Sequence, residues 1–167
     1  MARFMNFVFY ADDPNALATF WAGVLGYPPP DPVAFAAFVA DHGVTAEMVA
    51  SRSVIEDPSG VGPRIFFHHA SAPKSGRNRI HLDVNSALDR RPTPEEVEAE
   101  KERLVALGAT AVRLVDQSWG DFPEYYWQML DPEGNEFCCS NERTPGAMAP
   151  GALRGLLSRR PYCGAPR

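Results

Sequence analysis

Four histidines and three cysteines carry most of the chemistry open to this 167-residue chain, and three of the histidines stand in strand-like sequence. His81 lies in Arg79-Ile80-His81-Leu82-Asp83-Val84, where polar and apolar residues alternate as in a half-buried strand. An imidazole there suits proton transfer, because its ordinary pKa is about 6.5. It equally suits a hydrogen-bonding place in a pocket wall. His68 and His69 are chain neighbours, so only one of them can share an inward face, and the sequence leaves open which. Cys138 and Cys139 also point to opposite faces. Cys138 reads as a small buried hydrophobe, since no basic partner that would activate it as a nucleophile can be assigned from the sequence. Glu136 shares its parity and reads as a cavity carboxylate or a rim cap. Trp127, Tyr125 and Phe137 read as core aromatics or as apolar walls for a flat ligand. The pair Arg90-Arg91 reads as a solvated loop.

These side chains need strands and helices to hold them. Phe4 to Tyr10 is aromatic-rich and predicts a largely buried strand. Asp12-Asp13-Pro14 predicts a helix start, and Leu17, Phe20, Trp21, Val24 and Leu25 follow as one apolar stripe up to Gly26. Residues 32–50 predict a short helix broken at Gly43, with Thr45-Ala46-Glu47 able to start another. Strands are predicted at Ser53–Glu56 and Ile65–His69 around a turn at Asp57-Pro58-Ser59-Gly60. Ala72 to Gly76 is a polar connector. Beyond it come the strand around His81, a helix opened by the capping box Thr93-Pro94-Glu95-Glu96, and strands at Ala111–Val115, Tyr125–Met129 and Glu136–Cys139. The boundaries predicted are a first module over 1–73 with a helical insertion at about 31–50, a second over 77–141, and a C-terminal tail over 142–167 with a short helix from Ala152 to Leu157.

Composition removes several function classes. With 45% hydrophobic and 22% charged residues the chain falls in the globular range. A net charge of −5 argues against a general nucleic-acid partner, which requires surplus Lys and Arg. No apolar run approaches the roughly 20 residues of a membrane span, and Met1 to Asn6 shows no secretory signal. Cys138, Cys139 and Cys163 are too few for a disulfide framework, which points to a reducing cytoplasm. A phosphate-cradling glycine loop, a serine elbow and a Cys-x-x-Cys pair are all missing; Gly60, Gly62 and Pro63 punctuate a hairpin.

Each half runs strand, capped helix ending in Leu-Gly, and hairpin on Asp-Pro-x-Gly. The helix ends are Leu25-Gly26 and Leu107-Gly108, the turns Asp57–Gly60 and Asp131–Gly134. With Ala11-Asp12-Asp13-Pro14 through Phe20-Trp21, Gly62–Phe67, Asn78–Val84, Leu104–Ala109 and Asp131–Cys138, the chain resembles the vicinal oxygen chelate superfamily, and within it the bacterial glyoxalase-like domain proteins. The resemblance covers about residues 4–140. It implies an α+β fold of two βαβββ modules forming a cupped mixed sheet of the glyoxalase/bleomycin-resistance kind, with a cavity between them and a homodimer as the assembly.

Metal-dependent members of that superfamily take one ligand from each of four strands, usually His, Gln or Glu. Carried over by position, the pattern falls on Asn6, His68 (alternatively His69), His81 and Cys138, a poor set for a divalent cation, since Asn is a feeble ligand and Cys stands where a carboxylate is usual. What the resemblance implies is therefore a protein that binds, and in one form transforms, a small oxygenated or aromatic metabolite between its modules. His81 and His68 would be its acid/base groups, with Asn6, His69, Trp127, Glu136 and Cys138 in the pocket, and the chemistry would be of lyase, isomerase or dioxygenase type. The alternative is a metal-free protein that sequesters a drug or metabolite.

Overall fold

Asp13 opens the first helix because its carboxylate accepts from the N–H groups of Asn15 and Ala16, which have no partner within the helix, while Pro14 supplies the preset φ of a first turn. The computed structural model describes residues 6–87 and 90–142. The expectations for residues 1–5, the tail from 143 with its helix at 152–157, and Cys163 lie outside the described residues.

The first half contains β1 (Asn6–Ala11), α1 (Pro14–Leu25), α2 (Pro32–Val39), a 3-10 turn (Ala40–His42), α3 (Ala46–Ala50), β2 (Arg52–Ile55) and β3 (Arg64–His69). Its sheet has the order β1-β3-β2, with β1 parallel and β2 antiparallel to β3. The second half contains β4 (Leu82–Asn85), α4 (Pro94–Ala106), β5 (Thr110–Trp119), β6 (Phe122–Leu130) and β7 (Glu136–Ser140), in the order β4-β7-β6-β5. The second half is a full βαβββ unit. The first has the same plan one strand short, because α2 and α3 occupy the chain positions where an outer strand would stand. The local sequence explains this: Asp31 and Thr45 cap the two helices with their side chains, and Gly43 takes the left-handed φ of 68° between them.

β1 departs from expectation. It is not largely buried but alternates: Phe7, Phe9 and Ala11 turn toward the core, while Val8 (43% exposed) and Tyr10 (68%) turn away from it. β4 is shorter than expected, starting at Leu82, so His81 sits just before the strand. The hairpins form as expected. Gly60 N–H donates to the Asp57 carbonyl and Gly134 N–H to the Asp131 carbonyl, each at a positive-φ glycine.

One apolar core crosses both halves. Leu17, Phe20, Trp21, Ile65 and Phe67 of the first join Val97, Leu104, Met129, Phe137 and Cys139 of the second. The rings of Trp21 and Phe137 lie 5.3 Å apart, inclined at 61°. Buried within the contact, Trp21 Nε1 donates to Asp131 Oδ2 at 3.1 Å. Glu133 accepts from the N–H groups of Asp12 (2.7 Å) and Asp13 (2.9 Å), and Arg103 donates to the carbonyls of Gly23 and Val24. Among the described residues no helix is long and apolar enough to cross a membrane.

Candidate ligand site

The seam between the halves holds a cavity of about 640 Å³. Its apolar wall is β1 (Phe7 to Tyr10), Trp21, Ile80 and Leu82; its polar rim carries Asp12, Lys74, Asn78, Arg79, Glu133 and Glu136. Both modules contribute because β1, the connector after β3, the approach to β4 and the start of β7 meet there. Glu136 holds the rim together: it accepts from Asn78 N–H at 3.1 Å and lies 3.4 Å from Lys74 Nζ. Partial burial pushes its carboxyl upward, but Asn78 and Lys74 outweigh this and hold it below the ordinary range.

A second arrangement lies beside that cavity, among residues that do not line it. His81 and Asp83 stand two apart and so share a face; Cys138 is the register partner of Asp83 on the parallel neighbour β7. Their donor atoms converge. His81 Nε2 is 3.0 Å from Cys138 Sγ and 3.5 Å from Asp83 Oδ1, and all three donors fall within 4.8 Å of one another. The thiol is buried and the carboxylate half open to solvent, with its side chain 54% exposed.

The other site residues expected from the sequence separate. Asn6 lies opposite Arg64, whereas His68 lies opposite Tyr10, four residues farther on. That sets them roughly 13 Å apart along the strands at about 3.3 Å per residue, too far to hold one ion. His68 does not join the His81 cluster either. It is half-buried against the Tyr10 ring, and burial, followed by the charge of Arg52, lowers its pKa from the ordinary value. His69 ends β3 in the open, its Nδ1 donating to the Asp12 carbonyl at 3.1 Å. Trp127 faces α4 rather than the cavity: its Nε1 donates to Glu98 at 2.7 Å, beside Tyr125 Oη at the same distance, and Lys101 Nζ stands 5.0 Å from the center of its ring. Of the expected pocket residues, Glu136 alone lines the cavity. Arg90 and Arg91 are fasteners and not loop decoration, for Arg90 pairs with Glu96 and Arg91 donates to the Asn141 and Pro123 carbonyls.

Sequence reasoning missed Val8, Tyr10, Ile80 and Lys74 as cavity residues and Asp83 as a neighbour of His81. The signal for Asp83 was present in the His81-Leu82-Asp83 alternation, read together with the pairing of β4 and β7.

The profile of the Glyoxalase-like domain matches residues 6–140. The chain belongs to the Glyoxalase-like domain family. Its fold is that of solved relatives at low identity. A glyoxalase/bleomycin resistance protein/dioxygenase family enzyme from Burkholderia phytofirmans is 17% identical, with a TM-score of 0.54 over 81% of this chain and 96% of its own. A glyoxalase-related enzyme from Fulvimarina pelagi is 16% identical, with a TM-score of 0.53 over 84% and 88%. No curated protein gives a significant match. Tested against the donors it would need, the four-strand metal site of the superfamily does not fit this glyoxalase-like chain, because register separates Asn6 from His68 and Cys138 brings sulfur where hard oxygen is required.

Proposed function

We propose that this glyoxalase-like protein binds a small molecule with a flat apolar body and oxygenated edges in the cavity between its modules. The carrying observation is the cavity itself: about 640 Å³, apolar on the β1 side and rimmed by charged side chains of both signs. Small-molecule sites span roughly 300–1,000 Å³ with an apolar lining and a few placed polar groups. Tyr10 and Ile80, 68% and 69% exposed, both line this cavity and present apolar surface to it.

A panel of aromatic carboxylates and hydroxylated aromatics, screened by thermal shift and then calorimetry, tests this reading. A true ligand raises the Tm by an amount that grows with the logarithm of its concentration over its Kd. The same ligand should lose roughly tenfold or more in affinity for Ile80→Arg, which puts a charge on the apolar wall. Binding that is equal in the wild type, Ile80→Arg and Val8→Trp would remove the cavity as the site.

A second reading, an enzyme acting on that ligand, draws support from the imidazole–thiol contact of His81 and Cys138 at 3.0 Å. Turnover of a cavity ligand that disappears in His81→Ala while binding persists would establish it.

A further inference from the structure

We propose that the cavity takes its ligand as an added strand: an extended peptide, or a ligand with peptide-like amides, that pairs with the free edge of β1. The proposal rests on the cavity reading and adds the chemistry by which the ligand is held.

Register fixes which main-chain groups face the cavity. β1 pairs with β3 alone and so has one free edge. The Ala11 carbonyl accepts from Ala70 N–H at 2.8 Å, which sets the parity. Ala11 turns its main-chain groups to β3, and Phe9 and Phe7 do the same, because these groups alternate sides along a strand. Val8 and Tyr10 therefore turn their N–H and C=O groups to the other edge. Asp12 continues that edge, and its N–H is met at 2.7 Å by Glu133, a cavity residue. Among the described residues no partner meets the main-chain groups of Val8 and Tyr10.

The cavity runs along this edge. Phe7, Val8, Phe9 and Tyr10 all line it, although successive side chains point to opposite faces of a sheet. Only a space bordering the backbone between the two faces touches all four. Such an edge is normally guarded by lysine, proline or a bulge, because it invites another chain. Asn6 to Ala11 carries no charge and no proline, and its register with β3 runs without a shift. Val8 and Tyr10 offer donor and acceptor twice over, at about 3.3 Å per residue. An extended peptide presents the complementary series at the same repeat, and such pairing supplies affinity while side-chain pockets supply specificity. The volume of about 640 Å³ suits a segment of a few residues, whose side chains would meet the apolar wall at Ile80 and Leu82.

The probe is a randomised library of acetylated tetrapeptide amides, screened against the full chain by calorimetry. The tightest binder is then N-methylated one amide at a time. Affinity should fall roughly tenfold or more where the methyl removes a donor facing β1, and less than about twofold at the alternate amides. Amide exchange followed by NMR should slow at Val8 and Tyr10 when peptide is added, with Phe9 and Ala11 slow already. Tyr10→Pro removes an edge N–H while leaving the β3 ladder whole, and should weaken binding roughly tenfold. Tyr10→Val, which loses the ring but keeps the N–H, should weaken it less. The proposal is overturned if no tetrapeptide binds, if all N-methyl positions are equivalent, or if the Val8 and Tyr10 amides exchange equally fast with and without peptide. Slow exchange of those two amides in the free protein would overturn it too, as the mark of an edge already covered by another copy of the chain. Should these outcomes fail while a ligand without amides still binds and is lost in Ile80→Arg, the added strand falls and the cavity reading stands. Peptide pairing at β1 that Ile80→Arg leaves unchanged would place the ligand outside the cavity and sink both.

Discussion

Trp21 is 1% exposed and still carries an N–H that burial would leave costly if unpaired. Asp131, itself buried, supplies the acceptor, and its carboxylate also accepts from the backbone N–H of Glu133 and Asn135 and from the Asn135 amide. One side chain therefore closes the second hairpin turn and anchors the first helix. Asp131→Ala should cost roughly 2–4 kcal/mol, the sum expected for several lost hydrogen bonds and one orphaned buried donor; chemical denaturation with an unchanged m-value checks this. Cys139 shows the opposite use of burial. With its thiol packed under α4, desolvation and then the charge of Glu100 push its pKa up to about 12. In the native protein Cys139 should resist iodoacetamide at pH 8 and react only on unfolding, as read by site-resolved mass spectrometry. Rapid native labelling would contradict that packing. The face taken by such residues was only partly legible in the sequence. Parity separates Cys138 from Cys139, but it cannot say which of them meets a helix. For Trp127 the same ambiguity hid Glu98, which lies 29 positions away and announces itself by no motif.

At the scale of elements, local chemistry was most legible where it is most local. Caps at Asp13, Thr45 and Thr93 form where the sequence predicts helix starts, because a cap needs only the next three residues. Strand ends were less legible. β4 begins only where β7 supplies hydrogen-bond partners, from Leu82 opposite Phe137, and nothing in Arg79–His81 marks that limit. At the start of α4, Thr93 and Glu96 form a reciprocal capping box, and Arg90 donates to the same carboxylate. Arg90, then the Thr93 N–H, lowers the Glu96 pKa to about 2. A depressed pKa in the folded state means that the contribution is present above the unfolded value and is lost as pH falls through the folded one. Thus α4 should gain nothing further from Glu96 above pH 5 and should lose its support between about pH 4.5 and pH 2. NMR titration of Glu96 gives the folded value directly, and Glu96→Gln should flatten that segment of the acid stability curve. A Glu96 that titrates near 4.3 would show that Arg90 is not engaged in solution. Thr93→Ala should separately cost about 1 kcal/mol.

Across the whole molecule, the two halves are bound less by their sheets than by α1. This helix sends Phe20 and Trp21 against Phe137, its cap receives Glu133, and its C-terminal carbonyls receive Arg103. The recurrence of the Asp-Pro-x-Gly turn made the duplication visible in the sequence. The missing outer strand of the first module and the positions that line the seam were not visible, since both depend on how the halves pack. A core shared in this way has an energetic consequence. Unfolding the second half alone would expose Trp21, Phe20 and Leu17 and orphan the Trp21 N–H, so partial unfolding loses the interface without recovering the entropy of the remaining half. The described body should therefore unfold in a single transition, with calorimetric and van't Hoff enthalpies in agreement. Phe137→Ala, a truncation in the shared core, should lower that one transition by roughly 3–5 kcal/mol and leave it undivided. Two resolved transitions in the wild type, or a variant that melts the second half while the Trp21 environment stays native, would show that the seam joins two independently stable modules and that its cavity can open without unfolding either one.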